Sequence, residues 1–184
     1  MTSGVTPSQT AGPYVAIGLE WSDGPHVVDE RATDAIWLRG RVLDGEGNPV
    51  DDGYVETWQA DPEGRYPHPD DPRGAATGFR GFGRARLDDE GWWAVRTLKP
   101  GATPTGDGGW QAPHVAVAVL ARGLLQRVVT RLYFPEEEQA NAVDPVLTRL
   151  APEERERLVA RPEADGYRLD LHLQGPTATV FFDF

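Results

Sequence analysis

The chain has 184 residues, enough for one domain that hides about 70% of its unfolded surface in a single core. Its 29 acidic against 18 basic side chains give a formal charge of −11, which repels phosphate backbones and anionic lipid and argues against nucleic-acid and membrane partners. Cysteine is absent, which excludes disulfides, thiolate nucleophiles and cysteine-held metal sites; with no leader-like N-terminus and no apolar run of spanning length, a cytoplasmic protein is expected.

Residues 1–34 show no sustained period. Pro7, Gly12, Pro13, Gly18, Gly24 and Pro25 punctuate apolar positions at Val15, Ile17, Leu19 and Trp21, which predicts an extended arm rather than a helix. The embedded Tyr14, Ile17 and Trp21 favour an arm that docks on a partner subunit over a frayed terminus. A single β-domain is expected over 35–184. Its strands are predicted at 36–43, 54–60, 82–87, 92–97, 114–121, 125–134, 167–173 and 177–182, separated by turn chemistry such as Asp44-Gly45-Glu46-Gly47-Asn48-Pro49 and Asp88-Asp89-Glu90-Gly91. Short strands at this spacing predict an all-β fold, an antiparallel sandwich of seven to eight strands. One short helix is predicted as an insertion, with Pro152 in its first turn, Glu153 and Glu154 at its positive end, and Arg157 and Arg161 toward the other. Two long irregular stretches, 61–81 and 99–112, are where chemistry is to be sought.

Taken alone, the candidate residues read modestly. Tyr66 and His68, in Gly64-Arg65-Tyr66-Pro67-His68, could offer a hard ferric ion an anionic oxygen and an imidazole, but a loop tyrosine more often packs its ring. His114 opens a strand on which a second histidine two positions on would aim two imidazoles at one point; Ala116 stands there instead. A lone strand histidine is more often a core residue than a ligand. Acidic runs such as Asp51-Asp52, Asp70-Asp71 and Glu136-Glu137-Glu138 read as solvated loops or a helix start. No nucleophile elbow, phosphate loop or dinucleotide fingerprint is present.

Three segments together carry a resemblance: Gly40-Arg41-Val42-Leu43-Asp44 leading to Val55-Glu56-Thr57-Trp58-Gln59-Ala60-Asp61 and Gly64-Arg65-Tyr66; Thr97-Leu98-Lys99-Pro100-Gly101 followed by Ala112-Pro113-His114; and Arg131-Leu132-Tyr133-Phe134. They resemble the intradiol ring-cleaving dioxygenases from Trp37 onward. Thr6-Pro7-Ser8-Gln9-Thr10-Ala11-Gly12-Pro13-Tyr14 and Thr179-Val180-Phe181-Phe182-Asp183-Phe184 resemble the α subunit of the family's two-subunit members, which act on 3,4-dihydroxybenzoate. The resemblance implies ring cleavage by dioxygen at a mononuclear non-haem Fe(III) held by two tyrosines and two histidines.

Carried over one by one, the first tyrosine matches Tyr66 and the first histidine His114, but the second tyrosine falls at Thr103 and the second histidine at Ala116. Gln111 stands where the iron-binding subunit has an arginine. Two of four ligands remain, so the resemblance implies no metal and no catalytic residue in this chain alone. The Fe(III) is expected in a homologous β subunit, and this chain is expected to complete that partner's pocket for the aromatic acid and O2 with Thr10, Gly12, Pro13 and Arg122. Two other readings are a homo-oligomeric metalloprotein using Tyr66, His68, His114 or His26, and a non-catalytic β-sandwich binding module of the transthyretin-like kind.

Overall fold

The protein was analysed as a computed structural model that describes residues 7–10, 12 and 14–183. In chain order the elements are α1 (Tyr14–Leu19), β1 (Ile36–Leu43), β2 (Gly53–Trp58), β3 (Phe82–Arg86), β4 (Trp92–Thr97), β5 (Thr103–Pro104), β6 (Trp110–Gln111), β7 (His114–Ala121), β8 (Val128–Tyr133), α2 (Glu138–Val143), a 3-10 turn (Leu147–Arg149), α3 (Pro152–Glu156), β9 (Arg161–Glu163), β10 (Gly166–Arg168) and β11 (Leu171–His172). Two sheets carry the fold. One is five-stranded, with β4 on one flank of β1 and β10, β11 and β9 on the other; the second is four-stranded, in the order β3-β2-β7-β8.

Alternation decides which side chains lie between the sheets. Leu38, Val42, Trp93, Val95 and Leu171 of the first sheet meet Val55, Ala85, Val115, Val117, Val119 and Leu132 of the second, all buried in one cluster. The intervening residues of β2, β7 and β8 face outward.

The structure corrects several expectations. The first sheet is mixed rather than purely antiparallel, because β10 and β11 run parallel to β1. A parallel return needs a long crossover, and the helical stretch after β8 supplies it; alternation in sequence specifies a face, not a direction. The predicted strand at 167–173 is split. Leu169 turns its carbonyl onto Gly40, where a Cβ would lie 1.8 Å from that oxygen, and the Asp170 carboxylate accepts the Arg41 N–H at 2.9 Å in place of a backbone partner. Residues 177–182 form no strand. They cross between sheets, Thr179 donating to the His172 carbonyl and Phe182 to that of Val129.

The N-terminal segment also differs from a wholly extended arm. Tyr14–Leu19 form a helix of six residues, too short for hydrophobic periodicity to announce. Trp21 stacks on Phe82 at 6.1 Å and lies beneath the Arg84 guanidinium at 4.7 Å, so it docks on its own sheet. Val27 and Val28 are already in the core, which places the start of the packed body near Gly24 rather than at 35. The predicted helix begins at Pro152 as expected, and Glu154 accepts the Ala151 N–H at 2.9 Å, but it ends at Glu156 and Arg161 sits on β9. The helix α2 precedes it, so the insertion holds more than one helix.

Candidate functional site

Two groups of sequence-derived residues lie at opposite ends of β7. The first group occupies the outer face of the four-stranded sheet. Trp58, Ala116 and Arg131 are direct cross-strand partners in one row, and His114 pairs with Tyr133 in the next row on the same face.

The loops at 61–81 and 99–112 bring Tyr66 and Thr103 to this face. Asp61, with no exposed surface, organises the first loop: its carboxylate accepts the N–H groups of Glu63 (3.0 Å), Arg65 (2.9 Å) and Ala76 (2.9 Å) and the Arg65 Nε (3.0 Å). Burial alone would raise its pKa, but these donors hold it below the usual carboxylate range. Gly64, at φ +72°, has the Ala102 oxygen 1.9 Å from where its Cβ would be, and Gly101 has that of Pro62 at 2.2 Å. Only glycine lets the two loops lie backbone to backbone. The Tyr66 N–H donates to Asp71 at 2.9 Å, and its ring stacks on Trp58 at 5.9 Å and 16°. The Tyr66 hydroxyl lies beside Thr103, whose own hydroxyl is buried without a well-formed hydrogen bond. Burial raises the Tyr66 phenol, against the opposing pull of Thr103 and of the Arg131 charge.

His114 is 6% exposed. Its Nδ1 lies 2.7 Å from the Ala112 carbonyl, so Nδ1 carries the proton and Nε2 the lone pair. Burial, with the nearby Arg131 charge, lowers its pKa to about 4, which keeps the ring neutral at pH 7. Buried Asp144 braces this corner, accepting the N–H groups of Ala112 (2.9 Å), Val146 (2.8 Å) and Leu147 (3.0 Å) and the Tyr133 hydroxyl (3.1 Å).

Sequence reasoning passed over Arg131. Its Nη1 donates to the Gln111 Oε1 at 2.7 Å and to the Tyr133 hydroxyl at 3.3 Å, and Gln111 in turn pairs with Thr103 across β5 and β6. Among the described residues no carboxylate forms an ion pair with it. The signal that could have found it is register: on an antiparallel pair, a strand residue opposite Ala116 must share the face of the ligand positions.

The second group lies beyond the other end of β7, roughly 26 Å from His114 at the rise of an extended strand. Gly123 donates its N–H to the Thr10 hydroxyl at 2.7 Å, and the Gln126 amide reaches Ser8 at 3.4 Å, so the arm lies against the turn that carries Arg122. The Arg122 side chain is 78% exposed and, among the described residues, pairs with Asp52 at 2.7 Å. Gly12 is exposed with open space where a side chain would be, and Pro13 lies outside the described residues. His68 lines a cavity together with Tyr66 and Trp58, its Nδ1 3.4 Å from Asp70, whereas His26 packs edge-on against Trp37.

A family model described as Dioxygenase matches residues 24–175, most of the chain. The protocatechuate 3,4-dioxygenase alpha chain of Pseudomonas putida is 44% identical, over 97% of this chain and 96% of that one. The chain belongs to the intradiol dioxygenase family. The protocatechuate 3,4-dioxygenase beta chain of Burkholderia cepacia is also similar, 36% identical over 79% of this chain and 67% of its own length. The dioxygenase domain of a dioxygenase carbohydrate-binding protein fusion from Streptomyces sp. SirexAA-E shares the fold, with a TM-score of 0.61 at 22% identity, covering 92% of this chain and 99% of that one.

The ferric ion of an intradiol enzyme does not fit this chain's residues. Tyr66 and His114 keep donors, and His114 even keeps the tautomer a ligand would need. Thr103 offers only a neutral hydroxyl, Ala116 offers nothing, and the Arg131 charge is felt at both Tyr66 and His114. Among the described residues no group of three or more His, Asp or Glu is placed to hold a metal, and no helix is long and apolar enough to cross a membrane.

Proposed function

We propose that this chain is the α subunit of a protocatechuate 3,4-dioxygenase. It holds no iron and completes the substrate pocket of a homologous β subunit that carries Fe(III). The reaction is the O2-dependent cleavage of 3,4-dihydroxybenzoate, between its hydroxyl-bearing carbons, to 3-carboxy-cis,cis-muconate. The cytoplasm suits a cysteine-free chain that needs no oxidising surroundings.

One observation carries the reading. The cationic, exposed Arg122 and the arm residue Thr10, bonded to the neighbouring Gly123, lie at the end of β7 remote from the residual ligand positions. An arginine that far away cannot serve this chain's own pocket, so its charge is available to a site on another chain. In a protein of net charge −11, such a cation is what an aromatic carboxylate requires. Gly12 allows close backbone approach, Pro13 would stiffen the arm, and residues from 24 onward form the packed body that presents both.

The test is co-expression and copurification. The chain should come out with a homologue bearing a complete set of two tyrosines and two histidines, and all the iron should reside in that homologue. The separated α chain should be inactive; stoichiometric ferric ion in it, with a tyrosinate charge-transfer band, would sink the proposal.

A further inference from the structure

We infer that Arg131 bars metal ions from this chain's own residual pocket, the guanidinium standing where a cation would need to be. The inference deepens the proposed function by giving a reason, beyond two missing ligands, why the chain holds no iron. It rests on that reading only for the identity of the metal.

The geometry points to an active obstacle rather than a merely eroded site. The pocket floor retains what a ligand set requires. Tyr66 is held by its N–H to Asp71 and by its stack on Trp58. His114 keeps Nδ1 on a carbonyl and leaves the Nε2 lone pair free for a metal. Two well-placed donors often hold a divalent metal weakly. Here, however, Arg131 projects from the position directly across from Ala116, on the same face. Its guanidinium reaches Gln111 and the Tyr133 hydroxyl, beside the short Ala116.

A half-buried guanidinium ordinarily finds a carboxylate. Arg131 finds only neutral acceptors, the Gln111 amide oxygen and the Tyr133 hydroxyl, while the Asp144 carboxylate is one hydrogen bond further away behind Tyr133. Its charge is felt at Tyr66, His114 and Tyr133 together, opposed by the Asp144 carboxylate at His114 and Tyr133 and by Asp71 at Tyr66, but no carboxylate pairs with it directly among the described residues. A cation placed among those residues would meet a fixed like charge in a partly desolvated site, where screening is weak.

The experiment uses the assembled two-subunit enzyme. Thr103→Tyr with Ala116→His restores the two missing donors; a second variant adds Arg131→Gln, and a third adds Arg131→Lys instead. Iron per subunit pair is measured together with the tyrosinate-to-iron absorption. The inference expects about one iron per pair in the first and third variants, and about two in the second, where a neutral amide replaces the guanidinium. A second iron in the variant that keeps Arg131 would overturn it. So would a single iron in the Arg131→Gln variant when its assembly and melting temperature match the wild type.

A companion measurement avoids engineered ligands and any folding penalty they bring. Arg131→Gln alone should bind Cu(II) at least about ten-fold more tightly than wild type, with nitrogen hyperfine structure that His114→Ala abolishes. Equal affinity in the two proteins would sink the inference. Iron in the unmodified α chain would sink the proposed function and this inference together, whereas equal Cu(II) affinity would sink the inference alone, so the two failures are distinguishable.

Discussion

The two ends of β7 differ in how their polar groups are satisfied. At the His114 end, ring, phenol, carboxylate and guanidinium are folded into one internal network: His114 to Ala112, Tyr133 to Asp144, Arg131 to Gln111. At the Arg122 end, one exposed cation meets one surface carboxylate, and an arm residue caps the turn. Internal satisfaction makes a region stable and chemically closed; an exposed charge on a turn is weakly held and available. In this chain the region that resembles an active centre is the internally satisfied one, and the plain turn is the one proposed to serve the partner.

The largest expected effect strikes the closed end. Asp61→Ala removes the acceptor of three amides and the Arg65 side chain, leaving part-buried N–H groups unsatisfied. It should cost about 3 to 5 kcal/mol in denaturant unfolding, and near-ultraviolet dichroism should report a loosened Trp58–Tyr66 stack. A loss below about 1 kcal/mol would mean that the loop is held by other contacts.

Next comes pH. The unfolded His114 should titrate near its ordinary value of 6.5, the folded one near 4. Its folded pKa is depressed, so the unfolded state binds the extra proton. This contribution to stability is complete above pH 6.5 and is lost as pH falls toward 4, at up to about 1.4 kcal/mol per pH unit. Other groups titrate in the same range, so the difference between wild type and His114→Gln is the informative quantity. Between pH 7.5 and 5.5 the wild type should lose about 1 kcal/mol more than the variant. Parallel curves would show that His114 is more hydrated than its burial indicates.

The third effect belongs to the open end. Arg122→Ala in the assembled enzyme should lower kcat/KM by about 1 to 3 kcal/mol, with iron content and melting temperature unchanged. An unchanged specificity constant would remove Arg122 from the partner's pocket and reduce it to a surface pair with Asp52.

How much of this contrast was legible in sequence follows from the range of the interactions involved. The strands β1, β4 and β7 were readable to their end residues, because alternation and flanking turn residues are local signals. The ligand positions Tyr66, Thr103, His114 and Ala116 were readable only through a family motif, and the structure brings them to one face by the Gly64–Ala102 and Gly101–Pro62 approaches that no period encodes. Arg131 stayed hidden because its meaning depends on cross-strand register. The parallel return of β10 and β11 depends on a crossover whose length was visible but whose direction was not.

The smallest effect tests whether the arm and the turn are one unit. Thr10 is the described arm residue whose side chain receives the turn's backbone, from the Gly123 N–H at 2.7 Å. Gly123 has φ +92°, so the turn's shape is set by glycine and does not need Thr10 to form. Thr10→Ala should therefore leave the turn intact and free the arm, lowering kcat/KM by about 1 kcal/mol, while hydrogen exchange at Gly123 accelerates. Thr10→Ser, which keeps the hydroxyl, should behave as wild type. If the alanine and serine variants fall together, the methyl group rather than the hydrogen bond holds the arm; if neither changes turnover while Arg122→Ala does, the arginine acts alone and the arm is only its neighbour.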